Sequence, residues 1–213
     1  MRLNVMRPAA LVLMVAAPSF AQEWIEYASR QDFFSVNFPG QPAIGALTYE
    51  TEYGLKLPGR AYRVENAAGR YSATVVDYTN AETMHAERAA ACKAAGAYPD
   101  ICNNAGRADL RGAAVHASFG LIRRGSEVTY LASYNADLVE GIRLQLLNKD
   151  GSSTFAVIHM HEYRLYILEG TVPAGMPPPA LFQQSLVFLD KEGQRIRYET
   201  PYSHGYPVPR RTR

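Results

Sequence analysis

Apolar residues recur in short runs along the N-terminal part of the chain, and their spacing is that of strands. Trp24 to Tyr27 and Phe33 to Phe38 read as two short strands, the second stopped by Pro39-Gly40. Leu47 to Tyr53, Ala61 to Glu65 and Tyr71 to Thr79 continue the pattern, with a turn at Asn66 to Gly69. The character then changes. Residues 80–95 are rich in Ala, Glu and Arg and end at Gly96, which predicts a helix; Thr79 and Glu82 have the spacing of a capping box at its start. Residues 113–122 fit either period, with helix the favoured reading. Strand signals return at Ser126 to Tyr134, Gly141 to Asn148, Thr154 to His161 and Arg164 to Thr171. Lys149-Asp150-Gly151-Ser152 makes a hairpin turn between the second and third of these, and a turn near Glu162-Tyr163 joins the last two. Pro177 to Pro179 open a helix running to about Leu189, since proline suits the first helical turn. Arg195 to Tyr198 add a last strand, and the Pro-, Tyr- and Arg-rich tail from Thr200 to residue 213 reads as loose.

Strands joined in sequence by hairpins, with few helices between them, argue for an antiparallel sheet. The expected fold is therefore α+β: a single domain over 22–199, its meander of strands packed against two or three helices. Residues 1–21 stand apart. Arg2 and Arg7 precede a short apolar run, Pro18 breaks it, and Ser19-Phe20-Ala21 sets small residues before Gln22. That is the layout of a signal peptide cleaved after Ala21. The apolar run falls short of the about 20 residues a membrane span needs. No cysteine lies at the cleavage point, so the lipoprotein route is not expected. The predicted destination is the periplasm or the medium, with no membrane span.

Composition is that of a globular protein: 213 residues, 47% hydrophobic and 20% charged. The formal charge of +2 belongs to the leader, which holds two arginines and no acid; the rest carries 20 basic and 20 acidic residues. Nucleic acid is not an expected partner. Cys92 and Cys102 are the only cysteines, and in an oxidising compartment they most simply form one disulfide.

Residues 24–42, 71–78 and 171–198 resemble an uncharacterised family of exported proteobacterial proteins. That resemblance implies export and one domain, and no catalytic activity. The opening motif Phe34-x-Val36-x-Phe38-Pro39-Gly40-x-Pro42 is similar to that of the Mog1/PsbP-type fold, which implies an antiparallel sheet sandwiched by helices.

Candidate chemistry is sparse. His159 and His161 sit at i and i+2 on a predicted strand, so they share a face about 7 Å apart and could supply two metal ligands. Glu162, Glu169, His116, His85 and His204 are candidates to complete such a site, none at diagnostic spacing. The alternative is that His159 shares one face with Phe155 and Val157, with His161 at the strand end near the hairpin turn. His161-Glu162 does not begin an H-E-x-x-H motif, because Leu165 holds the final position. No nucleophile elbow, phosphate loop or dinucleotide glycine pattern occurs. Asp137 and Glu140 form a carboxylate pair that reads better as turn residues. Tyrosine accounts for 14 residues, against 8 Phe and 1 Trp. Those on strands (Tyr49, Tyr53, Tyr62, Tyr71, Tyr78, Tyr130, Tyr134) could line a binding groove. The arginines at the C-terminus could touch anionic lipid or an envelope partner. The function expected is that of an exported, non-catalytic binding or accessory protein of the bacterial envelope, without a cofactor, taking an envelope protein or a small ligand. A periplasmic metal protein using His159 and His161 is the alternative, and an enzyme of unrecognised type the third.

Overall fold

A computed structural model describes residues 23–98 and 101–212; the predicted leader lies outside them. Ten strands and three helices follow in the order β1 (Ile25–Ser29), β2 (Phe34–Phe38), β3 (Ala43–Glu50), β4 (Lys56–Asn66), β5 (Gly69–Asp77), α1 (Ala81–Ala94), α2 (Gly106–Ile122), β6 (Glu127–Ala136), β7 (Val139–Leu147), β8 (Ser153–His161), β9 (Arg164–Val172), α3 (Ala180–Gln183) and β10 (Val187–Phe188). Seven strands form one antiparallel sheet in the order β3-β4-β5-β9-β8-β7-β6, and β1, β2 and β10 form a small second sheet. The fold is α+β, as the sequence predicts.

Alternation decides the layers. In β8 the side chains of Ala156, Ile158 and Met160 enter one core with Leu110, Ala113, Ala117 and Leu121 of α2. Val157 points the other way, into a core with Tyr166 and Leu168 of β9 and Phe34, Phe38 and Phe188 of the small sheet. The large sheet is thus covered by α1 and α2 on one face, and by the small sheet together with the one-turn helix α3 on the other.

The helix favoured for 113–122 forms as part of α2, which starts earlier, at Gly106, and buries Leu110, Ala113, Ala117 and Leu121 at helical spacing. Other local expectations are corrected. The capping box at α1 does not form: Thr79 is held by Asp77, which accepts from its backbone N–H (2.9 Å) and hydroxyl (2.5 Å), and Asn80 takes the cap position without a side-chain bond. The helix predicted over 178–189 ends after one turn. Val187 and Phe188 pair instead with Ser35 and Phe34, because the β2 edge offers backbone partners while Phe188 is buried completely. The segment expected to be loose from residue 200 contributes the buried Tyr202 to the core.

A polar lock fastens the small sheet to the large one. Asp32, in the β1–β2 turn, accepts two bonds from the Arg60 guanidinium and one from the Tyr62 hydroxyl (2.5 Å). The Tyr166 hydroxyl donates to the Asp32 carbonyl at 2.9 Å. Cys92, in the last turn of α1, is disulfide-bonded to Cys102 in the loop before α2.

Asp32→Asn keeps the shape but leaves Arg60 without its carboxylate. It is expected to lower the unfolding free energy by about 1–3 kcal/mol, read from urea melts; an unchanged midpoint would show that the lock is dispensable. Replacing both cysteines with serine should cost about 2–3 kcal/mol through the released ten-residue loop, and titration of the unfolded, unreduced wild type should find no free thiol.

Candidate functional site

Two hairpin turns of the large sheet, β6–β7 and β8–β9, lie at the same end. Both the β6–β7 and β8–β9 loops have two residues, and all four have positive φ without being glycine: Asp137 (47°), Leu138 (63°), Glu162 (42°) and Tyr163 (61°). Such tight loops match the sheet's twist, but the left-handed backbone costs about 1–3 kcal/mol per side-chain-bearing residue. The C-terminal segment offsets this by binding both. Arg195 ion-pairs with Asp137 and Arg211 with Glu162. The backbone of Tyr202 bonds Leu138 and Glu140 on the first hairpin (2.8 and 2.9 Å), and its hydroxyl accepts from the Glu162 N–H at 3.1 Å on the second.

Under this strap lie His159 and His161. They share a face of β8, as their spacing predicts, and that face is buried: they are 0% and 2% exposed. His159 Nδ1 lies 3.2 and 3.3 Å from the carbonyls of Val139 and Glu140. A carbonyl only accepts, so the neutral ring carries its proton on Nδ1. Its Nε2 is buried with no hydrogen-bond partner among the described residues. The ring approaches so close to β7 that a Cβ at Gly141 would collide with it. His161 Nε2 bonds the Tyr198 hydroxyl at 2.7 Å, and its ring packs against Phe188 (4.4 Å between centres) and Tyr202 (4.9 Å). Burial drives the His159 pKa down to about 4 and, with the positive Arg211 adding to it, the His161 pKa down to about 3.

The residues that might have completed a metal site are elsewhere. His85, on α1, bonds Asp109 of α2 at 2.7 Å, and His116, also on α2, meets the Tyr49 ring; both helices lie on the opposite face of the sheet. Glu162 is paired with Arg211, and Glu169 with Arg124. Among the described residues, no group of three or more His, Cys, Asp or Glu could hold a metal ion. Asp137 is a turn residue engaged by Arg195, and Glu140 is exposed.

The strand tyrosines do not converge either. Tyr62 and Tyr71 are buried against the small sheet and Tyr78 against the helices, while Tyr130 is exposed on the edge strand. Instead, a cleft of about 350 Å³ opens beside the strap, between α1, the first turns of α2, the β8–β9 turn and the C-terminal segment. Its lining includes Glu82, Arg107, Arg111, Tyr163, His204 and Tyr206. Arg111 donates to the Gly205 carbonyl at 3.0 Å and lies 5.5 Å from the centre of the Tyr206 ring. Gly205 has φ +89°, and a Cβ there would sit 2.6 Å from Arg111 Nε, so the strap needs glycine at this bend. Burial lowers the His204 pKa, while Glu82 acts to raise it and Arg111 to lower it. Of these residues the sequence marked only His204 as a candidate for a site, and Glu82 and Tyr163 as cap and turn residues. The usable signal was the pair Arg107 and Arg111, one helical turn apart.

No family model matches the chain, and none of the curated proteins does. The fold is similar to that of cyanobacterial PsbP (CyanoP) from Synechocystis sp. PCC 6803, solved in solution. The TM-score is 0.36 at 10% identity, covering 76% of this chain and 86% of that one. It is also similar to the crystal structure of PA94, a protein of unknown function from Pseudomonas aeruginosa, with a TM-score of 0.31 at 9% identity, covering 74% and 88%. These likenesses concern fold, and the chemistry rests on the geometry of the chain itself.

The two buried histidines make stability pH-dependent, with a definite sign. Unfolded, each takes a proton near pH 6.5; folded, neither does until about pH 4 or 3. Between these values the unfolded chain binds more protons, so stability falls as pH falls. Each histidine should remove about 2 kcal/mol between pH 7 and pH 5. Urea melts at the two pH values measure it, and His161→Gln should cut the difference by about half. A midpoint that ignores pH in the wild type would show that the rings are not held neutral.

Proposed function

We propose that the chain is an exported, non-catalytic binding or accessory protein of the bacterial envelope, and that it takes a small ligand in the cleft beside the C-terminal strap. The observation that carries this reading is the cleft itself. Its volume of about 350 Å³ lies within the range of small-molecule sites, and guanidinium, imidazole and phenol groups converge on it. The two cysteines are bonded to each other. Among the described residues no helix is long and apolar enough to cross a membrane. Export is supported by the leader-like residues 1–21 and by a disulfide, which persists in oxidising compartments.

Native mass spectrometry of protein released gently from its own envelope tests this. The expected spectrum shows a chain beginning at Gln22, lighter by about 2 Da for the disulfide, with part of the population carrying a small organic molecule that chelator does not remove. A chain retaining residues 1–21 would overturn export. A stoichiometric mass lost to chelator would replace this reading with the metal protein built on His159 and His161. Turnover of the retained molecule on incubation would make the chain an enzyme.

A further inference from the structure

Given that the cleft is the binding site proposed above, its charges say what kind of ligand it suits. Arg107 and Arg111 are four residues apart on α2, so both guanidiniums project from one flank of the helix. Arg111 is committed on one side to the Gly205 carbonyl and the Tyr206 ring. Arg107 is exposed and has no carboxylate partner among the described residues, although the two arginines that clamp the neighbouring turns, Arg195 and Arg211, are both ion-paired. The one acid in the first turn of α2, Asp109, does not neutralise it. Its carboxylate is buried on the other flank, accepting from Thr51 (2.6 Å) and paired with His85 (2.7 Å). Glu82 is the single carboxylate lining the cleft, against two guanidiniums. Tyr163 and Tyr206 are 42% and 66% exposed beside these cations, leaving aromatic surface open at the mouth.

From this juxtaposition we infer that the cleft binds a small oxyanion, a carboxylate or phosphate group carried on an aromatic or other flat body. Arg107 is the residue that grips the anion, and Arg111 supports it while holding the strap. A guanidinium presents paired donors that match the two oxygens of either group, and the phenol rings cover the uncharged part of the ligand.

The test is a nuclear magnetic resonance titration of the isotope-labelled mature chain with three probes: inorganic phosphate, benzoate and benzyl alcohol. Benzoate or phosphate is expected to shift the amides of residues 107, 111 and 204–206 saturably, with affinity falling as sodium chloride rises. Benzyl alcohol, lacking the anion, should bind more weakly than benzoate. Arg107→Gln, a substitution at an exposed and unpaired side chain, should weaken anion binding about ten-fold while the rest of the spectrum stays folded. Arg107→Lys keeps the charge and should recover part of the loss. A response to phosphate alone or to benzoate alone assigns the headgroup and supports the inference. Cleft shifts with benzyl alcohol equal to those with benzoate, unchanged in Arg107→Gln, would overturn the oxyanion while leaving the cleft as a binding site. No cleft shift with any probe would overturn both.

Discussion

From Thr154 to His161 every residue of β8 is buried, and a strand in that position needs two apolar layers, because its alternate side chains point to opposite faces. The helices supply one layer, over Ala156, Ile158 and Met160. The other needs apolar cover over Val157, His159 and His161, and the chain builds it from its two ends: β1 and β2 from the beginning, β10 and the C-terminal segment from the last part. Burial of this aromatic face, with Phe34, Tyr62, Tyr166 and Phe188 packed edge to face, is the interaction on which the rest depends. It explains why residues 186–189 abandon a helix. Phe188 reaches the core between His161 and Tyr166 only from an extended backbone paired with β2.

Bringing the C-terminal segment back across the sheet has a second consequence. It must cross the end where two hairpins turn through left-handed backbone, and it binds both with arginines and with Tyr202. The segment then runs on past α2, and the space between them is the cleft. The candidate site is thus a by-product of closing the core, and its groups come from elements far apart in sequence. The same closure makes His159 and His161 structural. A pair that could have been metal ligands at a surface is held neutral in an aromatic box, one ring fixed by backbone carbonyls and the other by Tyr198.

Elements whose information is local were legible in the sequence. Alternation marked most of the strands, Lys149 to Ser152 marked their clearest turn, and the Ala-rich run marked α1. The two cysteines, with their spacing and expected compartment, pointed to the disulfide that the structure contains. At α1 one local bond replaced another, Thr79 taking Asp77 in place of a cap. The other failures occurred where distant contacts outweighed a local preference: Pro177 to Pro179 precede only one helical turn, and the strand tyrosines divide between two faces instead of sharing a groove.

The sequence by itself determined the fold class, the strand-rich order of the chain and the side-chain parity that puts His159 and His161 on one face, because each depends on the geometry of neighbouring residues. Only the tertiary structure decided that this face is buried, that Arg107 and Arg111 meet Tyr163, His204 and Tyr206 across a cleft, and that the C-terminal segment belongs to the core. Those outcomes depend on which layers cover the sheet, a competition among residues remote in sequence that no local pattern records.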